Sequence, residues 1–380
     1  MRNNYLLASA VWEFTLECNL NCLHCGSSAG AKRGDELTTA EAERLCHDLK
    51  KTGCLTITLM GGEPLLRKDF WQIASLIRAL GMELTIITNG TVYDHETFAR
   101  LGTLNPRTVA VSLDASTAEL HDRIRNRKGA FEKTHEFMNS ALKEGLPVSV
   151  ITTVHKMNLT ELPAIREQLL GKNIAWQIQV AGSEGRRFPK ELLLDEEEFY
   201  SVGIFIASTR KKYTRKEMPV TGAHDLGYNS LLLNSTSLAP GWNGCQAGIS
   251  VLGIQSNGTI KGCLSMDDST SEGNVRNRDI CDLWNSESAF SYSRAFMPGD
   301  AGDNCADCEH LARCKGGCNE MSLMKTGRLH NDPYCFHAIE QRLFSEELKK
   351  PLTRIRLGLK IRLDALTPEL RLSRKKNPCP

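Results

Sequence analysis

The sequence has no apolar run long enough to cross a membrane and no export signal at its start. No window approaches ~18 uninterrupted apolar residues, and the opening MRNNYLLASAVWEF lacks an apolar core followed by a small-residue cleavage site. Neither sign of charge is in excess, with 47 Lys and Arg against 45 Asp and Glu. We therefore expect a cytoplasmic protein whose partners are neither nucleic acid nor membrane.

Cysteine is absent over residues 55–244 and concentrated on both sides of that gap. The 380 residues contain fourteen cysteines, and eight of them fall between Cys245 and Cys335. Disulfide scaffolds belong to small exported chains, whereas this chain is long enough for a large core with a smaller appended unit. Metal or cluster ligation explains the cysteines better, and their distribution predicts two separate metal-bearing regions.

Between the two cysteine regions, strand and helix patterns alternate. Runs rich in β-branched residues predict six strands, over 11–17, 55–61, 83–89, 108–114, 147–154 and 174–180. Helical patterns fill the intervals, and TTAEAERLCHDLKK carries a capping box formed by Thr38 and Glu41. Six βα units in series imply a parallel sheet that is covered by helices and curls toward a barrel. In that architecture the chemistry lies on loops at the carboxyl ends of the strands.

The first cysteine motif directly follows the first predicted strand. Cys18, Cys22 and Cys25 form a C-x₃-C-x₂-C array. Thiolates suit zinc or iron–sulfur clusters, but a closed zinc site needs four ligands and this loop offers three. His24 is adjacent to Cys25 and would strain to reach the same ion. Three cysteines on one short loop fit a cubane cluster with one open iron, where a further ligand can bind.

The array and its neighbours resemble the radical S-adenosylmethionine (radical SAM) superfamily. GGEPLLR (61–67), TNG (88–90) and SLD (112–114) close the second, third and fourth predicted strands, where the family places cofactor contacts. The resemblance implies a partial (β/α)₆ barrel in which a 4Fe–4S cluster binds S-adenosylmethionine. It further implies reductive cleavage of that cofactor to a 5′-deoxyadenosyl radical, which abstracts hydrogen from a substrate. A reductant such as flavodoxin or ferredoxin is then an expected partner.

The same resemblance assigns cofactor contacts to residues at and beyond the predicted strand ends. These are Gly61, Gly62, Glu63, Thr88, Asn89, Ser112, Asp114, Arg125 and Gln179, with Thr153 and Asn158 as further site-lining residues. The two glycines let backbone carbonyls approach the cofactor's ammonium group, and Glu63 supplies a charged partner nearby. Helix capping is the alternative role for the hydroxyl, amide and carboxylate groups, and surface charge is the alternative for Arg125. His24 stands where the family usually has an aromatic ring near adenine.

The second cysteine region has its own spacing: Cys245-x₁₂-Gly258-x₄-Cys263, then Cys305-x₂-Cys308-x₅-Cys314-x₃-Cys318, then Cys335. These seven cysteines resemble the SPASM extension, which holds two auxiliary 4Fe–4S clusters. A zinc ribbon has similar chemistry, but seven interleaved ligands fit it poorly. The resemblance assigns one cluster to Cys305, Cys308, Cys314 and Cys335, and the other to Cys245, Cys263 and Cys318. The latter is one ligand short, so its fourth position is open iron, an atypical ligand or Cys281. For Cys281 the favoured role is buried core, as it is for Cys46 and Cys54.

These features predict four segments and a reaction class. The segments are a radical SAM partial barrel (1–180), a bridging segment that is a candidate lid (181–240), a SPASM domain (241–340) and a basic C-terminal tail (341–380). Relatives with this pattern modify ribosomally made peptides by cross-linking, thioether formation or epimerisation, and we expect the same here. Alternatives are oxidation or decarboxylation of a small molecule, such as a sugar alcohol or a haem precursor, and a non-catalytic iron–sulfur electron carrier. Because the first strand begins at about residue 11, we expect a separate protein to bind the leader of any peptide substrate.

Overall fold

One continuous sheet organises the protein. The computed structural model describes residues 5–182, 187–223, 226, 229–233 and 242–348. The strands in these residues are β1 (Ser9–Thr15), β2 (Thr56–Gly61), β3 (Glu83–Thr88), β4 (Thr108–Ser112), β5 (Val148–Val154), β6 (Ala175–Val180), β7 (Val220–Gly222), β8 (Val251–Ile254), β9 (Thr259–Lys261) and β10 (Gly273–Asn274). Their order in the sheet is β10-β9-β8-β1-β2-β3-β4-β5-β6-β7.

The predicted partial barrel is confirmed. Strands β1 to β7 are parallel neighbours, and each of the six predicted strands is present within two residues of its expected bounds. Among the described residues, β10 and β7 form the two edges of the sheet, so the sheet is not closed. Parallel order brings the carboxyl ends of β1 to β6 to one end of the sheet, where the predicted site residues lie.

Within the part of the chain that the structure describes, the helices are of two kinds: the first seven lie between strands and cover one face of the sheet, and the last five follow the final strand, β10. They are α1 (Thr39–Thr52), α2 (Phe70–Ala79), α3 (Thr97–Leu104), α4 (Ala118–Arg125), α5 (Ala130–Lys143), α6 (Leu162–Leu169), α7 (Glu196–Lys212), α8 (Ile280–Trp284), α9 (Ser291–Arg294), α10 (Leu311–Cys314), α11 (Asn319–Thr326) and α12 (Phe336–Leu348). The predicted capping box opens α1, with reciprocal hydrogen bonds between Thr38 and Glu41. Cys46 and Cys54 are buried in the core, as expected.

The two faces of the sheet differ in side-chain chemistry. On the helix-covered face Trp12, Leu59, Ile86, Val150 and Trp176 are each 0% exposed. Side chains at alternate positions point to the opposite face, where most are half-buried and a few, such as Glu13 and Thr15, are buried. This inner face includes Val11, Thr58, Met60, Thr85, Ile87, Ser112, Ser149, Ile151, Thr153, Gln177 and Gln179. The sheet therefore has one apolar face in the core and one mostly polar, partly accessible face.

The second cysteine region is built onto the same sheet. Strand β8 pairs in parallel with β1, and β9 lies antiparallel to β8. The indole Nε1 of Trp284 donates to the carbonyl of Tyr5 at 3.0 Å, and Arg276 forms an ion pair with Glu41 at 2.6 Å. These contacts fix the cysteine-rich region beside the strand that leads into Cys18.

The predicted bridging segment contains regular structure. Helix α7 and strand β7 both fall inside it, and β7 pairs in parallel with β6. The segment thus extends the parallel sheet by one strand, although its bounds and its role as a lid stay predictions. Residues 349–380, with most of the predicted basic tail and Cys379, lie outside the described residues. No described helix is both long and apolar enough to span a membrane, and the cytoplasmic location stays a prediction.

Candidate functional site

The first cysteine motif lies on a short loop that is closed at its base. The backbone N–H of Cys18 donates to the carbonyl of Gly30 at 2.9 Å, and the N–H of Gly30 donates to Leu16 at 2.9 Å. These two bonds pin both ends of the loop together directly after β1. The loop therefore presents its three thiols from one fixed base at the carboxyl end of the sheet.

The three thiols of this loop are buried or half-buried and lie close enough to affect one another electrostatically. Burial, helped by the nearby charges of Glu63, Cys22 and Cys25, raises the pKa of Cys18 to about 11, although the N–H of Leu20 opposes the rise. Burial also raises the pKa of Cys22, although the guanidinium of Arg125 opposes the rise. Three adjacent thiolates need a positive counter-charge here, and a metal cluster supplies one because coordinated thiols are deprotonated. The donor set therefore fits an iron–sulfur cluster.

Backbone and side-chain donors surround these sulfurs. The Sγ of Cys18 accepts from the N–H of Leu20 at 3.5 Å, and the Sγ of Cys25 accepts from Ala29 at 3.3 Å. Arg125 Nη1 donates to the Sγ of Cys22 at 3.7 Å. Hydrogen bonds to ligand sulfurs are one means by which a protein sets the potential of a cluster.

Gly61 and Gly62 lie against the end of β1. Gly61 has φ of +119°, and a Cβ added there would stand 2.5 Å from the carbonyl oxygen of Thr15. A Cβ on Gly62 would collide with the carbonyl oxygen of Glu17. Both glycines are thus needed so that the turn after β2 can pack beside the segment that carries Cys18. Their contact with a cofactor ammonium group stays a prediction.

Glu63 joins the carboxyl ends of β2 and β3. Its carboxylate, which is 0% exposed, accepts from the hydroxyl of Thr88 at 3.0 Å and from the N–H of Asn89 at 2.8 Å. Burial raises the pKa of Glu63 to about 7, while the bonds from Asn89, Leu65 and Thr88 limit the rise. Sequence reasoning treated Glu63 only as a charged partner of the cofactor. The structure adds a second role, as a clamp between two strand ends.

Asn89 connects this clamp to the cysteine loop. Its Nδ2 donates to Oδ1 of Asn19 at 2.8 Å and lies 3.8 Å from the Sγ of Cys18. Asn19, between the first two cysteines, was not singled out from the sequence. Its position inside the motif is the signal that could have identified it.

Asp114 is the centre of a buried charged cluster. Its carboxylate lies 2.7 Å from Arg125 Nη2 and 3.3 Å from His24 Nε2, and it accepts from the N–H of Thr153 at 3.1 Å. Burial alone would raise the pKa of Asp114, but Arg125 and His24 outweigh it, so the net shift is downward. Burial lowers the pKa of His24 to about 3 against the pull of Asp114. A neutral imidazole therefore stands beside an ionised carboxylate.

The remaining predicted residues divide into two groups. Gln179 Nε2 donates to the hydroxyl of Thr153 at 3.0 Å on the inner face, and Ser112 is half-buried on the same face. Asn158 is 0% exposed and donates to the carbonyls of Asp114 at 2.9 Å and Thr153 at 3.0 Å. Asn158 thus holds the ends of β4 and β5 in place. Gln179, Thr153 and Ser112 instead lie on the inner face, on the side that a bound ligand would occupy.

Arg187 and His155 are further residues at this end of the sheet that the sequence did not single out. Arg187 Nη2 donates to the carbonyl of Ala29 at 2.9 Å, and its Nε donates to the carbonyl of Cys22 at 3.3 Å. Arg187 therefore ties the start of the predicted bridging segment to the cysteine loop. The ring of His155, the residue just after β5, lies 5.7 Å from the ring of His24. Its place at a strand end was the available signal.

Four cysteines of the second region line one cavity. Cys305, Cys308, Cys314 and Cys335 line a space of ≈ 470 Å³. Burial raises the pKa of Cys305 to about 12 and that of Cys314 to about 11. Gly316 and Gly317, which line this cavity, have φ of +81° and +84°. Four converging thiols around such a space fit a fully ligated cluster.

Cys245, Cys263 and Cys318 form a separate group, in which Cys318 is buried and the other two are half-buried. Burial raises the pKa of all three, to about 12 for Cys263, and the charge of Cys245 raises the pKa of the other two further. The carboxylate of Glu320 acts on the same three thiols. Cys281 instead lies in α8, where its Sγ accepts from Asn285 Nδ2 at 3.4 Å. Cys281 is half-buried rather than part of the core proper.

Comparisons with known proteins agree with this arrangement. A model described as the radical SAM superfamily matches residues 12–169, and one described as an iron–sulfur cluster-binding domain, SPASM, matches residues 245–309. The Fe-coproporphyrin III synthase of Methanosarcina barkeri (strain Fusaro / DSM 804) is 30% identical over 356 residues, which cover 87% of this chain and 88% of that protein. This chain belongs to the radical SAM superfamily. It is a radical SAM/SPASM enzyme whose cofactors are S-adenosylmethionine and 4Fe–4S clusters.

One further relative and two solved structures are similar to this radical SAM enzyme, and their names differ from that of the first relative. Mycofactocin maturase MftC of Mycobacterium ulcerans (strain Agy99) is 27% identical over 90% of this chain and 92% of that protein. Among solved structures, Streptococcus suis SuiB bound to precursor peptide SuiA has a TM-score of 0.70 at 18% identity, covering 88% of this chain and 76% of that chain. Native anSMEcpe with bound AdoMet has a TM-score of 0.68 at 17% identity, covering 93% and 100%. These structures share the fold.

Proposed function

We propose that this radical SAM enzyme modifies a ribosomally synthesised peptide, by forming a cross-link or thioether or by epimerising a residue. The observation that carries the proposal is the chemistry of the inner face of the sheet. Strands β1 to β7 contain no Lys, Arg or His, and their half-buried inner side chains are mainly Ser, Thr and Gln. Uncharged donors and acceptors suit the amide groups of a peptide, whereas a substrate with several carboxylates calls for cationic partners.

At the carboxyl end of the sheet, some residues hold the cluster and others hold the neighbouring strand ends in place. Cys18, Cys22 and Cys25 hold the cluster in this proposal, and the base of their loop is fixed by backbone hydrogen bonds. When bound, the cluster and S-adenosylmethionine supply a radical able to remove hydrogen from an unactivated carbon. Glu63, with Thr88 and Asn89, holds the neighbouring strand ends in register with that loop.

The buried charged cluster fixes the other side of the cysteine loop. Asp114 holds Arg125 and His24 in one orientation, and Arg125 in turn donates to the Sγ of Cys22. Gln179 and Thr153 lie further along the inner face and orient the substrate in this proposal. A rigid set of supports is required because a small displacement of the reacting atoms has a large effect on rate.

Two comparisons support a peptide substrate. One relative is named a mycofactocin maturase, and one structure of similar fold was solved with a precursor peptide. We further propose that a separate protein binds the leader of the peptide and that flavodoxin or ferredoxin supplies the reducing electron.

A haem precursor is the second candidate substrate. The Fe-coproporphyrin III synthase at 30% identity and an AdoMet-dependent heme synthase at 28% identity favour it. Carboxylate side chains of a tetrapyrrole would then have to be bound by loop cations, because the strands offer none.

Parallel assays with the two candidate substrates test the proposal. The anaerobically reconstituted protein receives dithionite and S-adenosylmethionine in separate assays with a tetrapyrrole, either iron-coproporphyrin III or a more highly carboxylated precursor of it, and with synthetic peptides from the short reading frames beside the gene. By mass spectrometry we expect the peptide either to lose hydrogen, as a cross-link or thioether requires, or to take up deuterium from D₂O, as epimerisation requires. We also expect it to raise the release of 5′-deoxyadenosine above the substrate-free background. Turnover of the porphyrin with loss of carbon dioxide, and none of the peptide, would replace the proposal by the second candidate.

A further inference from the structure

We propose that Asp332 is a positioning residue shared by the two auxiliary cluster sites, and that its buried charge lowers the reduction potentials of both. The inference rests on the assignment of the seven cysteines to two sites, not on the identity of the substrate. Asp332 is not a cysteine and lies outside the residues that the sequence motifs pointed to. Its position between the two sites is evident only in the structure.

Hydrogen bonds connect Asp332 to the site of Cys245, Cys263 and Cys318. Oδ2 of Asp332 accepts from the backbone N–H of Cys318 at 3.1 Å. Cys318 is the residue immediately before α11, so its N–H belongs to the turn that presents the ligand thiol. The Asp332 carboxylate therefore fixes the backbone of one ligand of this first auxiliary site.

The same side chain belongs to the wall of the other auxiliary site. Asp332 lines the cavity into which Cys305, Cys308, Cys314 and Cys335 open. Its Oδ1 accepts from the N–H of Tyr334 at 2.8 Å, and its own N–H donates to Gly316 at 3.3 Å. Tyr334 directly precedes Cys335, so the second oxygen fixes the backbone next to a ligand of this second site. One carboxylate thus supports a ligand segment at each site.

The charge of Asp332 acts on thiols at both sites. The carboxylate is 1% exposed, so water screens it little. It interacts electrostatically with Cys305, Cys314 and Cys335 of the second site. It interacts in the same way with Cys245 and Cys318 of the first.

Two physical effects of this carboxylate have the same sign. Reduction adds one negative charge to a cluster, and a fixed negative charge nearby opposes that addition. The N–H of Cys318 is engaged by Asp332, and an N–H directed instead at cluster sulfur would favour the reduced state. Both effects lower the potential. Loss of the charge removes the first effect, which acts at both sites, so it has to raise the potential of each auxiliary cluster.

The test is a redox titration of Asp332→Asn, which removes the charge and keeps the volume. The full chain, reconstituted anaerobically, carries alanine at Cys18, Cys22 and Cys25 in every sample, so that only auxiliary clusters contribute to the paramagnetic resonance spectrum. We expect Asp332→Asn to retain the auxiliary iron and to shift both midpoint potentials upward. Asp332→Glu keeps the charge, and we expect both of its potentials to stay near those of the parent.

A matched control distinguishes the effect of the buried charge of Asp332 from the effect of removing any acidic group near the cysteines. Asp307 is an exposed acid that lines the second site's cavity. Because water screens its charge, Asp307→Asn should leave the first site's potential unchanged. A shift of only one potential in Asp332→Asn, or of neither, would overturn the proposal. Loss of iron from one site in both Asp332 variants would also overturn it, since Asp332 would then be a structural support of that site alone.

Discussion

Glu63 offers a prediction whose size follows from its burial. Its carboxylate is 0% exposed, and its pKa is raised from 4.5 to about 7, chiefly by burial. A carboxyl whose pKa is higher in the folded than in the unfolded chain adds stability below the unfolded pKa, and this is lost as pH rises through the folded one. Between about pH 5.5 and about pH 8 the loss amounts to roughly 2 kcal/mol.

Glu63→Gln removes this titration and keeps the side-chain volume. The single amide nitrogen of the new side chain faces a backbone N–H, and this mispairing costs the variant about 1.5–3 kcal/mol, a penalty that does not itself change with pH. The pH-dependent contribution of Glu63 is absent from the variant, so the difference between the two proteins is largest at low pH. The measurement is urea unfolding of the anaerobically reconstituted protein at both pH values, followed by fluorescence of the buried tryptophans. The buried histidines also titrate as pH falls, but both proteins carry them, so their contribution cancels in the difference.

The expected result is that the wild-type protein loses roughly 2 kcal/mol more than the variant when the pH is raised from about 5.5 to about 8. Parallel pH profiles for the two proteins would refute the reasoning, because Glu63 would then have the same protonation state in the folded and unfolded chains. A steeper profile in the variant would contradict the sign of the argument.

Two further predictions concern the supports of the cysteine loop. Gly62→Ala should lower the free energy of unfolding by about 1–3 kcal/mol and lower the iron bound by the loop, because the new Cβ meets the carbonyl oxygen of Glu17. Gly34→Ala is the control, since a Cβ added there has no atom within 4 Å. Equal iron content in both variants would contradict the prediction. Asp114→Asn should destabilise the protein by about 3–5 kcal/mol in urea unfolding, because it leaves the buried guanidinium of Arg125 without a counter-charge. A change under about 1 kcal/mol, typical of an exposed ion pair, would contradict the role of Asp114 as the buried partner of Arg125.

Much of the fold could be predicted because local patterns agree with it. The six strands, the capping box at Thr38 and Glu41, and the placement of three motifs at strand ends all follow from residues close together in the sequence. The order of parallel strands then requires the motifs to meet at one end of the sheet. For the same reason the cysteine loop, Glu63, Asn89 and Asp114 could be predicted to lie near one another.

Other features depend on contacts between distant parts of the chain. The sequence does not indicate that β8 pairs with β1 or that Trp284 donates to Tyr5, because no local pattern encodes those partners. The sequence also gives only part of the reason why residue 62 is a glycine. It indicates a close approach to the cofactor, whereas the atom that excludes a side chain there is the carbonyl oxygen of Glu17, on a different strand end. Asp332 could not be identified as a shared group until both auxiliary sites had a position.

The most direct test of the account is paramagnetic resonance and iron analysis of the protein with alanine at Cys18, Cys22 and Cys25. Relative to the wild-type protein, this variant should lack about four irons, release no 5′-deoxyadenosine and retain the auxiliary signals. In the wild-type protein, added S-adenosylmethionine should change the signal that the variant lacks. Loss of all iron from the variant, or a wild-type signal indifferent to S-adenosylmethionine, would contradict the claim that this loop holds the cofactor-binding cluster.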